Sequence, residues 1–587
     1  MYRAPLKEIR FALHQLVGDA TLVGRPGLEE YSLEYADSVL DEAAQFAEKV
    51  LAPLNVAGDR AGPTWTADGV RTSPEFKAAY AKYVEAGWST LAAPTAYGGQ
   101  GAPTLLTTAV EEIWTSANQS FKLCPLLTRG AVEAIHHSGS EVLKNLFLPK
   151  MVAGEWTGTM NLTESQAGSD LGLIRTRAVP DGGHYRIFGE KIFITYGDHD
   201  YTDNIVHLVL ARIEGAPSGV RGISMFIVPK FVPDAAGNAG ERNDVRCSSI
   251  EHKLGIKGSP TCVMTYGTGA GAVGYLVGEP NHGLEYMFVM MNAARLGVAL
   301  EGYSIAERAY QLAAQWARTR VQGRPAGSTA TGPTPISGHS DVKRMLLTMR
   351  SSVAAGRAMT MYAALQLDLG RHETDPVARA HAQARGELLI PITKGWSTET
   401  GIVLASLGVQ VHGGMGFIEE TGAAQHYRDV RITTIYEGTT GIQAIDLVGR
   451  KVGRDGGVAM RGLITDMRSE LSALRSGASG QLAESALEGI DLLDVGTQVV
   501  LDAAIRGGQY VQAIAVPYLH LAGVTIGAWL MTKSHAIASM DDRGDPEFAL
   551  GKRADARFYV AHVLPQALAL SRIVTAGADS VVDVDIA

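Results

Sequence analysis

Hydrophobic spacing changes twice along this chain, and that switch limits the possible folds more than any other feature. From Leu33 to about Gly154 apolar side chains recur three and four residues apart, as in 37–51 and 140–153, which predicts helices. Between about 155 and 285 the runs 184–188, 191–195, 204–211 and 222–228 alternate or are β-branched, and Asp181-Gly182-Gly183 marks a turn between two of them. After Gly283 the helical spacing returns, broken by the Gly/Pro/Thr/Ser-rich excursion 323–338 and ended by Asp455-Gly456-Gly457. An alanine-rich helical region then fills 460–587, with a short polar gap at 475–480. The expected architecture is α+β. It comprises an amphipathic arm (1–36) anchored by Phe11, Leu13, Leu16 and Val17, a helical domain (37–155), a barrel-like β domain (156–285), a helical bundle (286–455) and an additional helical domain (456–587).

A chain of 587 residues is too long for one core, and 46% hydrophobic with 19% charged content supplies several. The net charge of −9 and the lack of a long basic run exclude an electrostatic case for nucleic acid. Cys124, Cys247 and Cys262 are scattered without CxxC spacing, which fits a reducing, cytoplasmic setting and excludes a disulfide scaffold or cysteine-rich zinc site. The first residues lack a signal-peptide core. No window of about twenty apolar residues is apparent. The richest stretch, Val511 to Met531, carries Gln512, Pro517, His520 and Gly523 and reads as buried helices.

Three segments carry chemistry. In Ile435-Tyr436-Glu437-Gly438-Thr439-Thr440, the β-branched run from Ile432 reads as extended, Gly438 permits a tight turn, and Thr439 can cap a helix carrying Ile442, Ile445 and Val448. Glu437 at the tip is either a solvated turn residue or a sheltered carboxylate able to act as a general base. In Met160–Asp170, Gly168 and Ser169 free backbone N–H groups for an anion and Thr163 offers a hydroxyl, though such loops also serve simply as turns. Phe193 and Thr195, two apart on a strand, share a face and can present a flat wall and a donor, or be ordinary core. His412 and His426 lack a ligand cluster, so no metal is expected. His136-His137 and Glu419-Glu420 read as solvated, and Tyr510, Tyr518, Trp529, Phe558 and Tyr559 as core.

Taken in order, LTESQAGSD (162–170), GEKIFIT (189–195), Arg295 and Arg320 on one helix, QVHGGMGF (410–417) and IYEGTTGIQ (435–443) resemble the acyl-CoA dehydrogenase family, with GWSTLAAPTAYGGQGAP (87–103) matching its N-terminal domain. The similarity runs from about 37 to 453. The N-terminal arm, EHKLGIKGSPTCVM (251–264), GYLVGEPNHGL (274–284) and the C-terminal extension resemble the long-form branch containing 3-methylmercaptopropionyl-CoA dehydrogenases more than very-long-chain enzymes.

The resemblance implies FAD, and oxidation of an acyl-CoA thioester to its trans-2-enoyl form. Glu437 then matches the base that removes the α-proton, with its backbone N–H and a ribityl hydroxyl polarising the carbonyl and Gly438 lying along the thioester. Leu162, Thr163, Gly168, Ser169, Phe193 and Thr195 match flavin and pyrophosphate contacts. Arg320, Gln322, Gln410, Gly413 and Gly414 match contacts to a neighbouring subunit's FAD, and Thr439 and Gly441 a further one. Ser169, Asn292 and Arg295 match positions along the pantetheine and CoA. Ser165 stands where the family usually has proline, Phe193 where tryptophan is common, and Gly323-Arg324 where Phe-Gly is usual. Electron-transferring flavoprotein is the implied acceptor and a homodimer the implied assembly. The substrate implied by the branch is 3-methylmercaptopropionyl-CoA, with short or medium straight chains beside it. An oxygen-using acyl-CoA oxidase and a catalytically silent acyl-CoA or flavin binder are the alternatives on this scaffold.

Overall fold

The computed structural model describes residues 2–540 and 544–585. Backbone contacts group the chain into two compact units, one comprising 45–103 and 117–294, the other 1–44, 104–116 and 295–587. The chain passes between them near Asn118, where the helical stretch Thr104–Ser138 loses helical dihedrals (φ −161°, ψ 92°). The Asn118 side chain makes that break workable. Its Oδ1 accepts from the Phe121 N–H (3.1 Å), capping the second half of the stretch, and its Nδ2 donates to the Leu51 carbonyl (3.2 Å).

The first unit is built on an eight-stranded sheet. Five strands close a ring: His184–Thr195 pairs with Ala272–Val277, then Ile223–Pro229, Asn204–Ile213 and Arg177–Asp181, which pairs back onto His184–Thr195. This closure makes the domain barrel-like and removes two edges. Trp156–Asn161 joins in parallel outside Asn204–Ile213, and Thr261–Tyr266 with Val245–Ile250 extends the other side. Alternate residues separate two cores. Val206, Leu208, Leu210, Met225 and Ile227 pack with Ile135, Phe147, Leu148 and Met151 of the helices, whereas Val209, Ala211, Phe226 and Val228 pack with Ile187, Cys262 and Met264. Trp156–Asn161 is buried at every position, so it shows little of the alternation that announces a strand.

In the second unit the bundle helices Gly283–Thr319 (from residue 295), Ser340–His372 and Pro376–His412 enclose Leu300, Tyr303, Met349, Val353 and Leu404. Two of these helices touch backbone to backbone. A Cβ on Gly302 would lie 2.4 Å from the Ser397 carbonyl oxygen, and one on Gly401 2.4 Å from that of Gly302. The additional helices are Val458–Ala473, Gly480–Arg506, Gly508–Met540, Pro546–Phe558 and Gln566–Ala576.

The Val511–Met531 stretch is buried as expected, but it is not broken into separate helices. Gly508–Met540 is one unbroken helix that includes Pro517, and among the described residues it is long and apolar enough to cross a membrane, yet 83% of its apolar window is buried inside the protein. Its polar side chains find internal partners: Tyr518 Oη and Thr497 Oγ1 share a hydrogen bond (2.9 Å), and Thr532 Oγ1 donates to the Ala528 carbonyl (2.8 Å). The N-terminal arm is also built in. Phe11, Leu13 and Leu16 are buried, Val17 is half-buried, Tyr2 Oη donates to the Ile113 carbonyl (3.0 Å), and Glu8 pairs with Lys552.

Candidate active site

Glu437 sits at a turn between two short helical segments, not at the tip of an extended one. Arg431–Thr434 winds into a single tight helical turn, and Ile435 N–H and Tyr436 N–H both donate back to the Ile432 carbonyl (2.9 and 3.2 Å). The β-branched run was expected to extend. Among the described residues its unit offers no strand to pair with, and its hydroxyls bond locally, Thr433 Oγ1 donating to the Val430 carbonyl (2.7 Å). Glu437 then takes φ +54° and Gly438 φ +91°. A left-handed glutamate costs about 1–2 kcal/mol, so the surroundings must hold it.

They do so from three sides. Gln443 Nε2 donates to the carbonyls of Glu437 (3.1 Å) and Gly438 (3.3 Å), and Lys394 Nζ donates to the Gly438 carbonyl (2.6 Å). Thr439 caps the helix Thr440–Asp446 by accepting from the Ile442 N–H (3.2 Å), as the sequence predicts, and Thr440 Oγ1 donates to Glu399 Oε1 (2.7 Å). Tyr436 Oη donates to Glu301. Gln443, Lys394 and Glu301 are fully buried.

Burial pushes the Glu437 carboxyl up to about 7, the nearby Arg295 and Lys394 cations pull it down, and the Glu301 carboxylate pushes it up. Burial lowers the Lys394 ammonium to about 8, while Glu437, Glu301 and Glu399 raise it and Arg295 lowers it. Arg295, expected along the substrate, is itself buried and paired with Asp446 (3.1 Å), which also binds Arg450 (2.6 Å). Glu437 is half-buried, and its raised carboxyl favours the sheltered reading over the solvated turn. A sheltered carboxylate with an ordinary value near 4.5 has been brought to neutrality, where it can take a proton from a weak carbon acid.

The flavin-side residues of the β unit come together around a second buried pair. Glu164 accepts from the Arg175 N–H (2.6 Å), Thr176 N–H (3.0 Å), Thr176 Oγ1 (2.6 Å) and Lys191 Nζ (2.8 Å). Burial would raise its carboxyl, but the Lys191 ammonium and these donors hold it down at about 2; burial in turn lowers Lys191 to about 8. Lys191 Nζ also donates to the Leu162 carbonyl (2.9 Å), and the Ile192 N–H to that of Thr163 (2.9 Å). Leu162 and Thr163 therefore run beside the strand carrying Phe193. There Ile192 and Phe193 form a bulge opposite one residue of Thr261–Tyr266, and Phe193 takes φ +60° with its ring 59% exposed. Thr195 is half-buried, its carbonyl accepting from Thr159 Oγ1 (2.7 Å). Gly168 and Ser169 are exposed, with open space where a Gly168 side chain would stand. An outward aromatic ring beside a pinned loop with accessible backbone could receive a flat ring and its phosphates, as the resemblance to the family implies for these residues.

Most of the remaining positions lie in the helical unit, and Asn292 in the β unit. Arg320 and Gln322 are exposed just past the helix Gly283–Thr319 and bond each other (3.1 Å). Gln410, Gly413 and Gly414 are exposed at the end of Pro376–His412, next to Phe417, which is 87% exposed. Gly441 lies in the first turn of Thr440–Asp446, and Asn292 is half-buried on Gly283–Thr319. His412 stacks on Trp316, and no group of three metal-binding side chains occurs among the described residues. Lys394, Glu301, Gln443 and Asp446 were not singled out from sequence. Lys394 stands as the one charge in the sequence stretch 388–398, a signal that marks it as unusual without saying what it holds.

Family models match the chain almost throughout. The acyl-CoA dehydrogenase N-terminal domain matches 34–155, the middle domain 159–267, the C-terminal domain 281–452, and an acetyl-CoA dehydrogenase C-terminal-like domain 463–585. The chain is 45% identical to a 3-methylmercaptopropionyl-CoA dehydrogenase of Ruegeria pomeroyi, covering 99% of each sequence, and 33% identical to a butyryl-CoA dehydrogenase of Syntrophomonas wolfei, covering 96% of this chain and 95% of the other. Among solved structures, Caenorhabditis elegans ACDH-11 in complex with C11-CoA superimposes with a TM-score of 0.80 at 19% identity, over 100% of this chain and 96% of that one, a likeness of fold.

Proposed function

Because the chain belongs to the acyl-CoA dehydrogenase family, we propose that Glu437 is the base with which it oxidises a short acyl-CoA, 3-methylmercaptopropionyl-CoA first among the candidates. The protein is an FAD-dependent acyl-CoA dehydrogenase. FAD, when bound, accepts the β-hydrogen with its electron pair. Glu437 takes the α-hydrogen as a proton, leaving the Cα–Cβ double bond of the 2-enoyl thioester. The Glu437 backbone N–H polarises the thioester carbonyl, so that charge developing at Cα is stabilised as it forms. Gly438 keeps the turn free of a side chain where the thioester passes. Its φ is +91°, and a Cβ there would lie 2.7 Å from Gln443 Nε2.

The observation that carries this reading is the carboxylate held in a left-handed turn and raised to about 7. The 45% identity to the Ruegeria pomeroyi enzyme along the whole chain supports the sulfur-containing substrate, and the Syntrophomonas wolfei relative supports straight chains of similar length. We place the enzyme at the first oxidation of a β-oxidation-type sequence, in the cytoplasm, as a homodimer passing electrons to electron-transferring flavoprotein. The three buried, unpaired thiols accord with a reducing compartment. An anaerobic panel of acyl-CoAs tests the substrate. Flavin reduction should be fastest, and kcat/KM highest, with 3-methylmercaptopropionyl-CoA, and a preference for long chains would remove the assignment. Release of hydrogen peroxide at the full turnover rate in air would replace the flavoprotein acceptor with oxygen.

A further inference from the structure

A fully buried ammonium is costly unless something requires it. Lys394 lies in the run 388–398 of the helix Pro376–His412, where every residue is buried. Its hydrogen bond goes to the Gly438 carbonyl (2.6 Å), one residue beyond the base, rather than to a carboxylate. The neighbouring residues are wedged on the far side by the helix Gly508–Met540. A Cβ on Gly395 would lie 2.7 Å from Leu519 Cδ1, and the Trp396 ring fills the place where a Gly523 side chain would stand (2.4 Å to Cγ). With Gly395 against Leu519 and Trp396 against Gly523, the helix has little room to roll and withdraw Lys394, so the additional C-terminal helices brace the residue that holds the turn.

We propose that Lys394 is a positioning residue for α-proton abstraction: it fixes the 437–438 turn through the Gly438 carbonyl and places a cation beside the base. This rests on the reading of Glu437 as the base. The charged groups facing Glu437 are Arg295 and Glu301 from the helix Gly283–Thr319 and Lys394 from Pro376–His412, with Asp446 and Arg450 beyond Arg295 and Glu399 one turn from Lys394. Arg295 is already engaged by Asp446, whereas the Lys394 ammonium points at the turn itself.

The test uses the FAD-loaded full chain with Lys394→Met, which removes donor and charge, and Lys394→Gln, which keeps a donor but removes the charge. A pH titration by infrared difference spectroscopy follows the protonated carboxyl band that Glu437→Gln eliminates, and needs no turnover. Both variants should move that midpoint upward by about one unit, and kcat/KM at pH 7 should fall about fivefold and recover toward alkaline pH. Lys394→Gln should retain more of the alkaline plateau than Lys394→Met. If Lys394→Met does not fold, the Gln variant carries the comparison. An unmoved midpoint, with thermal stability alone reduced, would overturn the proposal and leave Lys394 as scaffolding. Absence of flavin bleaching by any acyl-CoA in the wild type would instead strike at the base assignment, while the infrared midpoint still reports on Lys394.

Discussion

Ionising Glu437 works against the fold that shelters it. Its carboxyl is raised from 4.5 to about 7, so the native state binds a proton that the unfolded chain releases between those values. Stability from this group is therefore present below about pH 4.5 and lost as pH rises through about 7. Glu437→Gln should stabilise the protein at pH 8 relative to wild type by up to about 3 kcal/mol, with the difference vanishing near pH 4.5, as read from paired denaturation curves. Gly438→Ala combines a left-handed φ with a collision against Gln443. It should lower kcat more than a hundredfold while leaving the melting temperature within a few degrees, because the turn must open to admit the methyl group.

At the scale of elements, two buried lysines do comparable work in different places. Lys191 ties the loop after Trp156–Asn161 to the strand His184–Thr195 by way of Glu164 and the Leu162 carbonyl. Lys191→Met leaves Glu164 buried without its cation, at a cost of about 3–5 kcal/mol if the loop stays closed. The loop should therefore open, and the variant should lose FAD on gel filtration that wild type retains. These elements show what sequence could and could not reveal. The TESQAGSD loop, the capping threonine at 439 and the order of helical and β regions were legible, because glycine, hydroxyl and periodic apolar residues report local geometry. The parallel strand Trp156–Asn161, the Phe193 bulge and the helical turn at 431–434 were not. Each is set by partners distant in sequence: Asn204–Ile213, Thr261–Tyr266 and the absence of a strand beside Ile432. Lys394 was passed over for the same reason, since its meaning depends on a carbonyl forty-four residues away.

For the whole molecule, the additional C-terminal helices pack against the helix that carries Lys394 rather than standing apart as an appendage. Gly508–Met540 packs on the helix carrying Lys394, and the N-terminal arm is tied to the same helices through Glu8 and Lys552 and by Phe11 against Phe548 (5.7 Å). Gly523→Leu, which must displace Trp396, should reduce kcat and melting temperature together, a pairing that distinguishes it from Gly438→Ala. The central claim is that Glu437 is the base and that its ionisation gates the reaction. It is tested most directly by anaerobic stopped-flow reduction of the bound flavin across pH, in wild type and Glu437→Gln. The wild-type rate should climb about tenfold per pH unit below about 7 and level off above it, while Glu437→Gln binds acyl-CoA without bleaching. Flavin bleaching by Glu437→Gln at a rate near that of wild type would contradict the account.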